Sequence, residues 1–127
     1  IIRKHGIPDR HSDESIAEAR RLGVEIDPKD IEGRTDFRGD VVVTIDGEHA
    51  RDFDDAISVE RLANGHYLLK VHIADVAHYV HEGSALDRES AERATSVYFP
   101  ERAVHMFPEE LATGLCSLRP HVDRLVQ

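Results

Sequence analysis

The sequence has little of what several classes of protein require. It contains one cysteine, Cys116, so no internal disulfide can form, and a reducing compartment such as the cytoplasm is the simpler expectation. The apolar run Val41–Val43 is far shorter than the roughly 20 residues of a membrane helix, which argues against a membrane partner. No charged-then-apolar signal segment opens the sequence, so secretion is not indicated.

Positive charge is also scarce. The 16 Lys and Arg residues are outnumbered by 25 Asp and Glu residues, and the formal net charge is −9. Stand-alone nucleic-acid binders usually carry a basic face, because neutralised phosphates release counterions, so the net charge alone argues against such a binder. An acidic cluster that holds a divalent metal can nevertheless engage phosphates through the metal. The positions of the acids therefore matter more than their number.

What is present is the composition of one folded domain. Apolar residues make up 40% of the 127 residues and charged residues 32%, which excludes a disordered tail or a low-complexity fibre. The sequence starts at Ile1 without methionine and stops at Gln127 in an alternating apolar run, so we expect a piece of a longer protein. The expected fold class is α+β, with a mainly antiparallel sheet and short helices.

The first 40 residues differ from the rest. Ser12 or Asp13 is placed to cap a short helix with an apolar stripe, and Gly23 is placed to end it. A polar stretch from Glu32 to Asp40 contains only Phe37 as a large apolar side chain. We therefore interpret residues 1–40 as a linker arm, packed against a body that comprises residues 41–127.

Strand signals dominate that body. The β-branched run Val41–Ile45 predicts a strand buried on both faces. Asn64-Gly65 predicts a hairpin turn between two alternating segments, Ala56–Arg61 and Tyr67–Ile73. In those segments one face carries the large apolar side chains and is the expected core face: Ile57, Val59, Tyr67, Leu69, Val71 and Ile73. Ser84 begins a pattern like a capping box, which predicts a helix to about Ala94.

Acidic residues are concentrated where two predicted strands end and begin. Asp46 follows the run Val41–Ile45, and Asp55 precedes the next strand, so both strand ends deliver carboxylates to one edge of the sheet. Asp52 and Asp54 share a face if the segment between them is extended. Gathered carboxylates repel one another, and a divalent cation relieves that cost. Ligands that are all oxygen select Mg²⁺, Mn²⁺ or Ca²⁺ over zinc.

A solvated acidic loop is the alternative explanation of these acids. Against it, the aspartates interrupt strong strand signals, and Phe53 and Ala56 among them indicate a segment anchored in the core. An EF-hand beginning at Asp52 is excluded, since it would need a glycine at its sixth position and a glutamate at its twelfth. Glu48 is expected to face solvent.

Neither histidine nor cysteine indicates a second kind of site. His78 and His81 have no cysteine partner, and His72 lies in a predicted strand, so ordinary strand and surface histidines are expected rather than zinc ligands. Cys116 with His105 or His121 lacks the local signature of a thiol nucleophile. A small buried thiol is the expectation at this position.

Several ordered blocks together are similar to one known family. They are Thr44–Glu48 and Arg51–Ala56, which contain the four aspartates, followed by His72–Val80, Glu82–Ser84, Thr95–Tyr98, Met106–Pro108 and Leu115–Leu118. These blocks resemble the catalytic RNB domain of the ribonuclease II/ribonuclease R exoribonucleases, and the long block at His72 is most similar to the ribonuclease R branch. The first thirty residues resemble the arm that joins a cold-shock domain to that catalytic domain.

The resemblance implies a processive, sequence-tolerant enzyme that uses Mg²⁺, or alternatively Mn²⁺, and removes nucleoside 5′-monophosphates from the 3′ end of single-stranded RNA. The family's catalytic, metal-binding acids map onto four positions: Asp46, Asp52, Asp54 and Asp55. The tyrosine that stacks on a terminal base maps onto Tyr98, and its hydroxyl is expected to be dispensable because stacking needs only the ring. His49 departs from the family pattern, where an acid is more usual, and little effect is expected.

The same resemblance implies that the catalytic domain continues beyond Gln127. We therefore expect the full-length protein to be an exoribonuclease and the isolated 127-residue chain to be inactive. The alternative function is a non-catalytic divalent-ion or protein-binding module that retains the acidic motif.

Overall fold

The computed structural model describes residues 3–127 and confirms the α+β class, with short helices and antiparallel strands. The α-helices are α1 (Asp13–Arg21), α2 (Val76–Tyr79) and α3 (Ala85–Arg93), accompanied by 3-10 turns at Arg3–His5 and Pro28–Ile31 and a π-type helix at Glu110–Leu115. The strands are β1 (Val42–Val43), β2 (Asp55–Arg61), β3 (Tyr67–Ile73), β4 (Val97–Tyr98) and β5 (Ala103–Val104).

The predicted hairpin between β2 and β3 is confirmed. The two strands pair antiparallel along their whole length, from Asp55 opposite Ile73 to Arg61 opposite Tyr67. Gly65 closes the turn with a φ of +85°, a left-handed conformation that glycine adopts without steric cost. Strand β1 pairs with the other edge of β2, giving a three-stranded sheet in the order β1-β2-β3, while β4 and β5 form a separate two-stranded hairpin.

The prediction of which sheet face is buried was wrong. Val59, Leu69 and Val71, on the expected core face, each expose more than half of their surface. The opposite face, with Ala56 and His72, is buried instead. The physical reason is that Phe37 packs on this second face, where its ring meets the His72 ring edge-on at 5.0 Å between centroids.

The run Val41–Ile45 does not form the doubly buried strand that its composition predicts. Only Val42 and Val43 are in strand conformation, and they pair with Ser58 and Ile57 at the edge of the sheet. Both valines are exposed. An edge strand has one neighbouring strand, and within residues 3–127 nothing covers these side chains. The β-branched valines therefore favour a strand conformation here, but they are not buried.

Helix α1 begins after Ser12 and ends before Gly23, the residues that the sequence places at its ends. The Ser12 hydroxyl oxygen accepts a hydrogen bond from the Ser15 N–H at 3.2 Å, which identifies Ser12 rather than Asp13 as the N-cap. Gly23 follows the helix with a φ of +82°, as the predicted stop requires. Helix α3 begins in the same way, since Ser84 accepts a hydrogen bond from the Asp87 N–H at 3.1 Å.

Polar contacts fasten the segment at α1 to α3. Glu89 on α3 accepts hydrogen bonds from the Ser12 N–H at 3.0 Å and from its hydroxyl at 2.6 Å. Arg93 pairs with the same carboxylate at 2.8 Å and donates to the carbonyl of Pro8 at 2.7 Å. Burial alone would raise the pKa of Glu89. The hydrogen bonds from Ser12 and Arg93 outweigh burial and lower this pKa to about 2.

The core lies between these helices and the C-terminal segment. Its buried apolar residues are Ala19, Ala74, Tyr79, Leu86, Leu111, Leu115, Cys116 and Leu125. The end of the chain returns to β3, where the Gln127 N–H donates to the carbonyl of Ile73 at 2.9 Å and Val126 bridges to Ala74. Among the residues that the structure describes, no helix has the length and apolar character needed to span a bilayer.

Candidate functional site

Residues 51–55, here named the acidic segment, carry three of the four aspartates and are held in place by hydrogen bonds to their backbone. The Ser117 hydroxyl donates to the Arg51 carbonyl at 2.7 Å and accepts from the Phe53 N–H at 3.1 Å. The Leu118 N–H donates to the Phe53 carbonyl at 2.8 Å, and the Ala74 N–H donates to that of Asp54 at 2.9 Å. The chain is therefore anchored before β2 begins, as the sequence around Phe53 predicts.

The four predicted site aspartates occupy different positions on this edge of the sheet. Asp52 and Asp54 lie in the anchored segment before β2, and Asp55 is the first residue of β2. Asp46 follows β1 in an irregular, exposed segment that ends in a turn, where the Ala50 N–H donates to the Gly47 carbonyl at 2.9 Å. The Asp52 side chain is largely buried, whereas Asp54 and Asp55 are exposed.

Electrostatic repulsion links these carboxylates. Partial desolvation, followed by the nearby negative charges of Asp52 and Asp55, raises the pKa of Asp54 above its ordinary value. Asp46 adds a smaller contribution of the same sign. Asp54 therefore lies within electrostatic range of the other three aspartates, and a bound cation would relieve the repulsion that acts on it.

The donor set fits a hard divalent cation. All four side chains offer oxygen, the ligand that Mg²⁺ and Mn²⁺ prefer. Within residues 3–127, however, no three acidic, histidine or cysteine side chains lie close enough together to form a ready-made metal cluster. Mg²⁺ commonly needs only one or two carboxylates, since it keeps several waters and takes substrate phosphates as further ligands.

Tyr98 lies beside this acidic segment. It is the last residue of β4, its residue surface is 62% exposed, and its hydroxyl donates a hydrogen bond to Oδ2 of Asp52. Partial desolvation and that hydrogen bond raise the pKa of Tyr98 to about 12, so the hydroxyl keeps its proton at neutral pH. The ring therefore combines an exposed surface with a polar contact to one of the four aspartates.

Two residues at the site escaped the sequence interpretation. Ser117 is fully buried and organises the acidic segment, but only its place beside Cys116 in a family-like block could have indicated a role. His105, considered only as a partner of Cys116, instead approaches Asp52, with 3.5 Å between Nδ1 and Oδ2. Both contacts join residues more than 50 positions apart, which no local pattern reveals.

Burial or a polar partner accounts for three other residues considered from the sequence, Cys116, His72 and His78. Cys116 is buried, which confirms the predicted buried thiol, and desolvation raises its pKa to about 12. His72 Nε2 is hydrogen-bonded to the Ser58 hydroxyl at 3.1 Å. His78 Nε2 lies 3.0 Å from a carboxylate oxygen of Asp30, far from the acidic segment in sequence.

Ser117→Ala is expected to loosen the acidic segment. The variant removes two part-buried hydrogen bonds, those to the Arg51 carbonyl and from the Phe53 N–H, which costs about 1–3 kcal/mol of unfolding free energy. Mn²⁺ affinity should fall in parallel, because Asp52 and Asp54 flank Phe53. Chemical denaturation and Mn²⁺ titration measure the two effects.

Ser90→Ala is the matched control for that variant. Ser90 is also a buried serine, but its hydroxyl donates to the Asp87 carbonyl within α3, at 2.9 Å. It should change stability modestly and leave Mn²⁺ affinity unaltered. Equal Mn²⁺ affinities for Ser117→Ala and the unsubstituted protein would contradict the role assigned to Ser117.

Comparison with known proteins places the chain in one family. The RNB domain model matches residues 34–127. Among curated proteins, ribonuclease R of Thermotoga maritima is 54% identical over 127 residues, and ribonuclease R of Aquifex aeolicus is 46% identical over 125. Each alignment covers 98% of this chain and 18% of the relative, so the chain spans about a fifth of the length of these enzymes.

The solved structures agree with the sequence relatives. Mycoplasma genitalium RNase R in complex with ribose-methylated single-stranded RNA superposes with a TM-score of 0.89 and 34% identity, over 98% of this chain and 19% of that one. The same enzyme in complex with double-stranded RNA gives a TM-score of 0.87, also at 34% identity. The resemblance drawn from the sequence blocks is thereby confirmed: the chain belongs to the RNB domain family, and its relatives are ribonucleases R.

Proposed function

We propose that this chain is part of the catalytic domain of a 3′-to-5′ exoribonuclease, which releases nucleoside 5′-monophosphates from single-stranded RNA in the cytoplasm. The observation that carries the proposal is the hydrogen bond between Tyr98 and Asp52. It joins an exposed aromatic ring, suited to stacking on a base, to an acidic segment suited to a divalent ion beside the RNA backbone. The relatives named ribonuclease R support the same activity.

Each residue has a distinct task in this proposal. Asp46 and Asp55 are the principal ligands for Mg²⁺, or for Mn²⁺ in its place, and Asp52 and Asp54 are further ligands or orient the attacking water. A bound Mg²⁺ supplies charge neutralisation at the scissile phosphate and lowers the pKa of a coordinated water. Tyr98 stacks on a base near the 3′ terminus, and its aromatic surface accepts any base, as a sequence-tolerant enzyme requires.

The acidic net charge is compatible with this function. This chain spans about a fifth of the length of its relatives. We assign most of the RNA-binding surface to other parts of the full-length protein. The acidic segment would meet phosphate only through the bound ion, so the net charge of −9 on the 127-residue chain does not by itself oppose RNA binding. The linker-arm interpretation of residues 1–40 belongs to the same proposal.

End-labelled RNA tests the proposal. With Mg²⁺, the full-length protein should release the label of a 3′-labelled single-stranded RNA first, as a nucleoside 5′-monophosphate, and should shorten a 5′-labelled RNA stepwise. Omission of Mg²⁺ with added chelator is the control and should stop both reactions. Binding of RNA without products would instead support a non-catalytic binding module, and release of internal fragments would indicate an endonuclease.

A further inference from the structure

A buried nitrogen atom without a hydrogen-bond partner lies beside the acidic segment. His105 follows β5, and its side chain is only 13% exposed. Its Nδ1 atom is buried and has no hydrogen-bond partner among residues 3–127. The carboxylate oxygen Oδ2 of Asp52 lies 3.5 Å away, just beyond the normal range of an N–H···O hydrogen bond. A buried polar atom without a partner is costly, so a contact that is close but incomplete is a candidate for a functional role.

A second contact converges on the same carboxylate oxygen. The Tyr98 hydroxyl donates to Oδ2 of Asp52, the atom that His105 approaches. Tyr98 is paired with Ala103 across the β4–β5 hairpin, and His105 lies two residues further along, so alternation places it on the Tyr98 side of the hairpin. The two rings meet edge to face, with centroids 6.3 Å apart.

We propose that His105 is a positioning residue for Asp52, acting through an Nδ1–H donor. Together with the Tyr98 hydroxyl it holds one oxygen of the Asp52 carboxylate, which leaves the other oxygen for the divalent cation. The inference rests on the proposed function and deepens it. Hydrogen bonds at such sites are often long in the free protein and shorten when ligands bind, so the 3.5 Å separation is the relaxed state of this contact.

Burial supports this role over that of an independent acid or base. His105 and Asp52 are both largely buried, with side chains 13% and 11% exposed, so neither reorients freely in solvent. The hairpin that carries Tyr98 and His105 is closed by a hydrogen bond from the Phe99 N–H to the Arg102 carbonyl at 2.9 Å. A buried donor on a short, closed hairpin is suited to fixing the direction of a ligand side chain.

An alternative role for His105 is only to pack against the Tyr98 ring. Two substitutions distinguish this packing role from the positioning role. His105→Phe preserves an aromatic ring against Tyr98 and removes the N–H. His105→Asn removes the ring and keeps an amide N–H close to the position of Nδ1. A packing role predicts that the phenylalanine variant is the better one, whereas the positioning role predicts the reverse.

Steady-state RNA cleavage by the full-length protein provides the first readout. His105→Phe should lower kcat by about 10-fold or more, as losing a group that orients a metal ligand does elsewhere, with little change in KM for RNA. His105→Asn should recover most of kcat. In an Asp52→Asn background, His105→Phe should have no further effect, because the positioned carboxylate is already gone.

Mn²⁺ affinity, followed by electron paramagnetic resonance of the free ion, provides a readout that does not depend on turnover. His105→Phe should weaken Mn²⁺ binding by about 10-fold, and His105→Asn should not. Thermal unfolding of both variants establishes that they are folded. Wild-type affinity in His105→Phe, or an equal loss in His105→Asn, overturns the positioning role. Failure of the unsubstituted protein to cleave RNA would instead overturn the proposed function.

Discussion

Asp54→Asn is expected to reduce RNA cleavage by the full-length protein by roughly 10³-fold or more, because a metal ion at such a site supplies several kcal/mol of transition-state stabilisation. Asparagine keeps the size of the side chain and removes its charge, so the backbone contact from Ala74 to residue 54 should persist. RNA affinity should stay near normal, since base stacking and the rest of the binding surface are retained. Single-turnover cleavage and equilibrium binding of a labelled RNA measure the two quantities separately.

The control for Asp54 is another acid of the same stretch. Glu48 is exposed, and the sequence predicts that it faces solvent. Glu48→Gln removes the same unit of charge and should leave cleavage close to that of the unsubstituted protein. Retained turnover in Asp54→Asn would remove Asp54 from the catalytic assignment, and a similar loss in both variants would point to general electrostatics rather than a specific ligand.

Tyr98→Ala is expected to weaken the hold on the last nucleotides, because stacking on an aromatic side chain contributes about 1–3 kcal/mol per base. The KM for short RNAs should rise and the length of the final product should change. The structure alters what is expected of Tyr98→Phe. The sequence predicts that the hydroxyl is dispensable, but that hydroxyl bonds Asp52, so the phenylalanine variant should keep KM and lose part of kcat.

Tyr67 offers a matched control for the stacking residue. It is the first residue of β3, it is 69% exposed, and its partner across the sheet is Arg61, at the hairpin end away from Asp55. Tyr67→Ala should leave KM and product length unchanged. If the Tyr98→Ala variant degrades short RNAs with the KM and the product length of the unsubstituted protein, stacking by Tyr98 is refuted.

Local patterns were sufficient for most of the secondary structure. Ser12 and Ser84 cap helices because a short hydroxyl side chain can accept from the N–H three residues later, a contact confined to one turn. Gly65 closes the β2–β3 hairpin because its left-handed φ needs no distant partner. The four aspartates could be identified in the same way, since they lie within ten residues of the chain, at the predicted strand ends.

The burial of the sheet could not be predicted in this way. Alternation assigns Val59, Leu69 and Val71 to one face, and the structure keeps them together. Alternation does not reveal which face the rest of the chain covers. Phe37, from a segment with few other apolar residues, packs against His72 on the other side, and Lys70 is paired there with Asp40 at 2.7 Å.

The sequence by itself determined the β2–β3 hairpin with its turn, the serine caps of α1 and α3, and the closeness of the four aspartates along the chain. These features depend on neighbours a few positions away. Only the tertiary structure decided which face of the sheet is buried, that Ser117 anchors the acidic segment, and that Tyr98 and His105 meet at Asp52. Such contacts join segments about 50 to 65 residues apart, and their geometry depends on how the whole chain closes around its core.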